Sequence, residues 1–268
     1  MYKKLTIVAS LLIGIGIVGS IITFSSSNET MAVHESQTIP YENINSLSIN
    51  VVTTDIEVFA TEDSDEARIE LIGETNELHQ PKFSVEVDDT QLIIDVQPHT
   101  ENKWFNFDLY LPTLTLKVFL PEKFIENLKI KSVSADLYLN NVQANTTKLS
   151  STSGDMDGEK LFFEKAELNT VSGDVEIEEI EGAIDLETTS GDVSLTVKDL
   201  SDTIQITSVS GDVDIVTYNK PPDVTFNVKS ISGDINLLDT YRENATIGKG
   251  SHLIKIKTTS GDIAVTSD

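Results

Sequence analysis

The chain has 268 residues, of which 39% are hydrophobic, and this is enough to build a sizeable core in one or two domains. Acidic residues number 44 against 19 basic ones, so the formal charge is -25 and the phosphate backbone of a nucleic acid would be repelled. The absence of cysteine excludes disulfides, thiolate zinc sites and cysteine nucleophiles but leaves the compartment open. We therefore expect a folded protein with no nucleic-acid partner.

An apolar run begins close to the amino terminus. Lys3 and Lys4 precede residues 5–24, which contain no charged side chain. About twenty helical residues span the roughly 30 Å hydrocarbon layer of a membrane, whereas the apolar region of a cleaved signal peptide is about 7–15 residues long. Residues 1–24 are predicted to form a transmembrane anchor, with cleavage as a signal peptide as the alternative. Because the lysines favour the cytoplasm, we expect a single-pass cell-membrane protein whose carboxyl-terminal part is extracytoplasmic.

Residues 25–39 are polar and show no clear periodicity, which predicts a linker between the anchor and a folded domain over residues 40–268. In that domain short segments alternate apolar and polar residues, with Val, Ile and Thr set among acidic side chains. The best helical candidate after the anchor is the segment PEKFIENL at 121–128. The domain is therefore expected to be all-β.

A Ser-Gly-Asp triplet recurs six times within this strand-like sequence. Its serines are 19, 18, 20, 22 and 28 residues apart, a degenerate copy has Ala135 at the glycine position, and residues 53–55 are a further candidate relative. Repeats of about 20 residues without helical periodicity indicate a solenoid, in which each coil covers the core of its neighbour. We predict a single-stranded β-solenoid, of the β-helix or β-roll type, behind the transmembrane helix. Its structural corners are Ser153, Gly154, Ser172, Gly173, Ser190, Gly191, Ser210, Gly211, Ser232, Gly233, Ser260 and Gly261.

The aliphatic residues around each triplet predict a bend at its glycine-aspartate step. One stands four positions before each serine and two more stand three and five positions after it, as Leu168, Val175 and Ile177 do around Ser172. With the two-residue period of a strand, positions -4, -2 and 0 share a face, so the serine is expected to point inward. The later aliphatics reach the same core only if Gly-Asp absorbs an odd residue. Glycine tolerates positive φ there, and the aspartate can accept hydrogen bonds from backbone amides around the turn.

Stacked coils would align the triplet aspartates at about 4.8 Å, the separation of neighbouring strands. Either these carboxylates are structural acceptors for amide hydrogen bonds, or they bind calcium, a hard cation that takes about 6 to 8 oxygen ligands. One aspartate per coil supplies few ligands, so the structural role is the prediction and a calcium ladder is the alternative. The aspartates of that ladder are Asp155, Asp174, Asp192, Asp212 and Asp234.

Signatures of an enzyme are missing from the sequence. Its four histidines stand without metal-ligand spacing, and no nucleophile elbow, phosphate loop or dinucleotide fingerprint occurs. We predict no catalytic residues, no cofactor and no metal. The four histidines are His34, His79, His99 and His252.

Two segments depart from the repeat. NKWFNFDLY contains the only tryptophan, Trp104, next to Phe105, and is either a contact patch for the membrane interface or a partner, or a cap over the open end of the solenoid core. The cap is the prediction. Residues 239–252, before the last triplet, are expected to project as a loop that offers a contact site.

Residues 114–139, LTLKVFLPEKFIENLKIKSVSADLYL, and the serial Ser-Gly-Asp corners behind an amino-terminal anchor resemble a bacterial putative-adhesin family of unknown function. Within that family the chain is similar to the membrane-anchored LiaG-like proteins of Gram-positive cell-envelope stress operons. The resemblance covers about residues 40–268 and implies a β-solenoid, and it brings no catalytic residues with it.

Together these features predict a non-enzymatic, adhesin-like binding or scaffolding protein of the cell envelope. Its partners are expected to be the membrane, through the amino-terminal helix, and a cell-wall polymer or an envelope protein that contacts the long acidic faces. A sensor or regulator of an envelope-stress response is one alternative. A polysaccharide-active enzyme with an acidic cleft is another.

Overall fold

The computed structural model describes residues 30–62, 65–77, 79–99 and 112–267, and every regular element within these ranges is a β-strand. The prediction of an all-β domain is confirmed. None of the described segments forms a helix with the length and hydrophobicity that crossing a membrane requires. The predicted anchor, residues 1–24, lies outside the described residues.

Twenty strands follow one another along the chain. The first ten are β1 (Met31–Pro40), β2 (Ser46–Val51), β3 (Asp55–Thr61), β4 (Glu66–Thr75), β5 (Lys82–Asp88), β6 (Gln91–Gln97), β7 (Thr113–Pro121), β8 (Ile125–Lys131), β9 (Leu137–Asn140) and β10 (Gln143–Ser150). The other ten are β11 (Met156–Ser172), β12 (Val175–Ser190), β13 (Val193–Val197), β14 (Ile204–Thr207), β15 (Val213–Thr217), β16 (Val224–Ser232), β17 (Ile235–Leu237), β18 (Ala245–Ile247), β19 (Leu253–Ser260) and β20 (Ile263–Ser267).

These strands form two stacks, and each coil of the chain adds one strand segment to each stack. The first stack runs β5-β6-β2-β8-β10-β11-β12-β14-β19-β16-β18, and the second runs β1-β4-β7-β3-β9-β11-β12-β13-β15-β20-β17. The long strands β11 and β12 pass from one stack to the other. All pairings between successive coils are parallel, which is the arrangement of a β-solenoid.

The order of the coils in space differs from their order in the sequence at both ends. The coil of β2 and β3 lies between the coil of β6 and β7 and the coil of β8 and β9. At the other end, the last coil, β19 and β20, lies between the coil of β14 and β15 and the coil of β16 and β17. The first and the last coil of the chain are therefore each covered by another coil.

Antiparallel strands close both ends of the solenoid. At one end β5 pairs with β6 in the first stack. In the second stack β4 pairs with β7, and β1 pairs with β4 as the outermost strand. At the opposite end β18 folds back against β16. Residues 239–252 therefore include a strand that covers the coil of β16 and β17, and the expectation of a simple projecting loop is wrong.

Two further predictions about local structure need correction. Residues 31–39 belong to β1 rather than to a linker, because Val33 and Ile39 alternate inward and pack against the core while the strand pairs with β4. Residues 121–128 are not a helix: β7 ends at Pro121 and β8 begins at Ile125. There the tertiary pairing with β3 and β10 overrides a weak local helical tendency.

The apolar side chains of both stacks form one continuous core that runs the length of the solenoid. The aliphatic positions predicted from the repeat are in it, including Leu168, Val175 and Ile177 of one coil and Leu186 and Val193 of the next. Burial of such side chains supplies the main stabilising free energy of the fold. Since each coil shares its core with two neighbours, no coil is an independent folding unit.

Candidate functional site: the Ser-Gly-Asp edge

The Ser-Gly-Asp corners lie in one row along the solenoid, and two hydrogen bonds join each corner to the next. The N–H of Asp192 donates to Oδ1 of Asp174 at 2.8 Å, and the N–H of Val175 donates to the carbonyl oxygen of Asp192 at 2.9 Å. The same pair of bonds recurs at seven steps, with N to Oδ1 distances of 2.7 to 3.1 Å. A charged acceptor strengthens such a bond. Each aspartate therefore holds the neighbouring coil, rather than the amides of its own turn.

The row is longer than the triplets indicate, and its order is different. Asp136 and Asp55 continue it past Ala135 and Thr54, so the degenerate copy and the candidate relative at residues 53–55 both belong to it. The predicted neighbours Asp212 and Asp234 do not touch, because the last coil inserts Asp262 between them. In spatial order the row consists of Asp55, Asp136, Asp155, Asp174, Asp192, Asp212, Asp262 and Asp234.

The triplet glycines are needed because the coils approach each other backbone to backbone. A Cβ on Gly191 would lie 2.2 Å from the carbonyl oxygen of Gly173, and one on Gly211 would lie 2.1 Å from that of Gly191. Gly191 also has a φ of 141°, a conformation that side chains disfavour. No other residue fits there without moving a coil.

The prediction that the triplet serine points inward is wrong. Ser172 and Ser190 are exposed, whereas Thr170 and Thr188, two positions earlier, are buried. The strand alternation therefore ends at position -2 and resumes at +3. The four residues between these positions turn the corner outside the core, one step earlier than the sequence pattern indicated.

The geometry of the row supports a structural role for its aspartates. In seven of the eight, Oδ1 already accepts a backbone amide hydrogen. Within the described ranges, no three His, Asp or Glu side chains come together in a way that could hold a metal ion. The row itself thus offers calcium one carboxylate oxygen per coil that accepts no neighbouring corner amide, while calcium takes about 6 to 8 oxygen ligands.

A second column of carboxylates lies beside the row, two residues beyond it in the chain. It contains Asp157, Glu176 and Asp214, whose side chains reach water from the outer face of the second stack while the neighbouring coils cover part of each. Partial burial, and then the neighbouring carboxylates, raise the pKa of Asp157 and of Asp214 above the usual aspartate range. We call the row and this column together the acidic ridge.

Sequence reasoning missed the second column of the ridge. Asp157, Glu176 and Asp214 each stand two positions after a triplet aspartate, and in a strand such positions face the same side. Counting carboxylates at that offset would have found them. Asp262 was missed as a neighbour of Asp212 because the coil insertion leaves no local signal in the sequence.

An exposed column of β-branched side chains flanks the ridge on its other side. Val133, Val171, Val209 and Ile231, each one position before a triplet serine or its equivalent, are between 46% and 69% exposed. Threonines alternate with them in space. Thr152 and Thr189 belong to the coils between the valines, and the inserted last coil places Thr259 between Val209 and Ile231. The ridge is thus bordered by apolar groups that are available for contact.

The four histidines, all within the described residues, do not come together in one centre. Trp104 and Phe105 lie outside the described residues. Among the histidines, His79 and His99 border the same cavity of about 180 Å³, and His79 forms a hydrogen bond with Asn76 at 2.7 Å. His34 lies on β1, far along the chain from His252, which precedes β19.

The two stacks of parallel strands and the clamped corner row define a β-solenoid repeat protein. Residues 44–266 match the model of the Toastrack DUF4097 family, and the chain belongs to that family. No functionally curated protein matches the chain significantly.

Solved structures with a similar course of the chain come from several bacteria. A putative cell adhesion protein of Clostridium sporogenes is 14% identical, with 89% of this chain and 100% of that chain covered and a TM-score of 0.43. A putative adhesin of Bacteroides fragilis is 10% identical, with coverage of 88% and 97% and a TM-score of 0.45. A putative lipid binding protein of Parabacteroides distasonis is 16% identical, with coverage of 88% and 96% and a TM-score of 0.39. At these scores and identities, none of them bears on function.

Proposed function

We propose that the protein is a membrane-tethered, extracytoplasmic and non-enzymatic binding module of the cell envelope, adhesin-like in that its long surface contacts a partner. The observation that carries this proposal is the acidic ridge, an uninterrupted row of eight corner aspartates with further carboxylates beside it. A single-sign row of charge attracts cationic groups along its whole length. The partner is therefore a cationic envelope polymer or a basic protein segment. It also carries apolar groups that contact the exposed valines beside the ridge.

The tether is part of the proposal and rests on the sequence of residues 1–24. Only residues 25–30 separate that apolar run from β1, and six residues reach at most roughly 20 Å. β1 lies at one end of the solenoid. A tether of this length keeps that end near the membrane surface, and the similarity to LiaG-like envelope proteins supports the same location.

Titration with a defined cationic probe tests the ridge. The full-length protein in detergent is titrated with a ten-residue oligolysine at low and high salt, next to the variant Asp157→Asn, Glu176→Gln, Asp214→Asn. These three carboxylates are chosen because they lie outside the hydrogen-bonded row, so their loss leaves the corners intact. We expect binding at low salt that weakens with salt and with the triple variant.

The control is a triple variant with the same change of net charge, Glu35→Gln, Glu42→Gln, Glu122→Gln, at exposed positions away from the ridge. Equal weakening by both variants would mean that net charge alone attracts the probe, and would overturn the assignment of the ridge. Membrane extraction with sodium carbonate tests the tether separately: release of the intact chain into the soluble fraction would contradict it.

A further inference from the structure

Each coil has a second corner, where the chain turns from the second stack back to the first. A groove lies at this second corner in three successive coils, on a different part of the surface from the acidic ridge. Each coil contributes one residue at the corner and one residue two positions later, where the chain enters the first stack. The corner residues are Asn141, Lys160 and Glu179, and the strand residues are Gln143, Phe162 and Glu181. Gln143 and Glu181 are the strand neighbours of Phe162 on either side, and the buried Leu161 also lines the groove, whose volume is about 330 Å³.

The corner residues of the groove keep side chains where the backbone favours glycine. Asn141, Lys160 and Glu179 have φ values of 57°, 56° and 58°. For residues such as Lys160 and Glu179 the left-handed conformation costs about 1–2 kcal/mol each, whereas asparagine tolerates it better, and strained residues of this kind concentrate at functional sites. Glycine occupies the close approach at the first corner, whereas the second corner carries larger side chains in a conformation that glycine adopts more easily.

An aromatic pair stands at the groove with its rings in contact with solvent. Phe162 is 40% exposed and Phe124 is 38% exposed, and their ring centroids are 5.8 Å apart in an edge-to-face arrangement. Phe162 lies on β11 and Phe124 directly precedes β8, and both rings reach water from the outer surface of the solenoid. An exposed aromatic ring next to convergent polar groups is typical of a ligand site rather than of a surface without a partner.

The polar groups around Phe162 are of mixed kind. Asn141 and Gln143 carry amides that donate and accept, Glu179 and Glu181 accept, and Lys160 donates while it forms an ion pair with Glu159 at 2.9 Å. Amides and charges of both signs do not favour a simple ion. They match a ligand whose edge carries many hydroxyl or amide groups and whose face is apolar enough to stack on a ring, which is the chemistry of a pyranose.

We propose that this groove binds a saccharide unit of a β-linked glycan chain. The face of the sugar stacks on Phe162, and its hydroxyl or acetamido groups form hydrogen bonds with Asn141, Gln143 and Glu179. This goes beyond the proposed function, because it gives the protein a second contact with a different class of ligand and uses none of the ridge residues.

The test is a titration of the full-length protein in detergent with the tetrasaccharide of N-acetylglucosamine and with cellotetraose, followed by calorimetry and by saturation-transfer NMR. We expect saturable binding of at least one of the two, weakened roughly tenfold or more by Phe162→Ala and retained by Phe162→Tyr, which keeps the ring. Tyr218→Ala removes an exposed aromatic ring elsewhere and should leave binding unchanged. Thermal unfolding of each variant shows whether it is folded.

Two results would overturn the proposal: no saturable binding of either oligosaccharide by the folded protein, or binding that Phe162→Ala leaves unchanged. Binding lost in the ridge variant but kept in Phe162→Ala would place the sugar on the ridge instead. The oligolysine titration is independent of these outcomes, so failure of the groove and failure of the ridge are distinguishable.

Discussion

The two corners of each coil solve the same geometrical problem in different ways. At the first corner the backbones of successive coils touch, glycine fills the close approach in six of the eight corners, and one carboxylate per coil accepts the next amide hydrogen. At the second corner Asn141, Lys160 and Glu179 turn the chain in the left-handed conformation without glycine, and a groove opens beside them. The comparison shows that close stacking restricts the residue type at one corner, while the other corner is free to carry diverse side chains.

The largest effect should come from adding a methyl group at the close approach. Gly191→Ala places a Cβ 2.2 Å from a backbone oxygen that cannot move without its coil, so we expect a loss of about 4 kcal/mol or more in the free energy of unfolding, or no folding at all. Urea denaturation followed by circular dichroism measures it.

The matched control is Gly158→Ala, on a strand between the two corners. Its Cβ would meet Cδ1 of Leu161 at 2.7 Å, and the end of a leucine side chain can rotate away. A loss of no more than about 1–2 kcal/mol is expected. Similar losses for both variants would contradict a special role of the first corner.

The sequence predicts the first corner well and the second corner poorly, for a physical reason. Gly191 and Asp192 repeat because backbone contact and amide pairing leave few alternatives, and the aliphatic residues around them repeat because they share one core. Lys160 and Glu179 have no common residue type that would mark a corner. The sequence also does not predict that the last coil lies between two earlier coils. Parallel strands with the same pattern of inward side chains fit equally well there or at the end of the stack.

The next effect concerns the carboxylate itself. Asp192→Ala removes the acceptor of the Asp212 N–H and should cost about 1–3 kcal/mol, whereas Asp192→Asn keeps an oxygen in place and should cost much less. Urea denaturation with and without calcium distinguishes the roles. If Asn were as damaging as Ala, and only when calcium is present, the charge would be needed for a cation rather than for an amide.

A smaller effect of opposite sign is expected at the second corner. Glu179→Gly relieves the left-handed conformation and should raise stability by about 0.5–1 kcal/mol, after the entropy cost of glycine is subtracted. Glu178→Gly, one residue earlier on the same strand, removes the same charge without that relief and should lower stability. A loss in both variants would show that the corner is not strained.

The smallest effect is the dependence on pH. Because burial and neighbouring carboxylates raise the pKa of Asp157 and Asp214 in the folded state, that state binds protons more readily than the unfolded chain. The free energy of unfolding that these two groups contribute should therefore be greatest near the ordinary aspartate range, at about pH 4. It should be lost as the pH rises through the raised pKa values towards neutral. Asp223, whose pKa the Ser251 amide lowers, opposes this at the acidic end. Thermal melts at several pH values should show a flatter profile for Asp157→Asn, Asp214→Asn, and an unchanged profile would contradict the ridge electrostatics.

Amide hydrogen exchange measured by NMR tests most directly whether the repeated triplets clamp one coil to the next. In Asp174→Ala the N–H of Asp192 loses its acceptor, while the N–H of residue 174 keeps its bond to Asp155. We predict faster exchange at Asp192 in Asp174→Ala, little change in Asp174→Asn, and unchanged protection at residue 174 in both. Equal protection of the Asp192 amide in all three proteins would contradict the account.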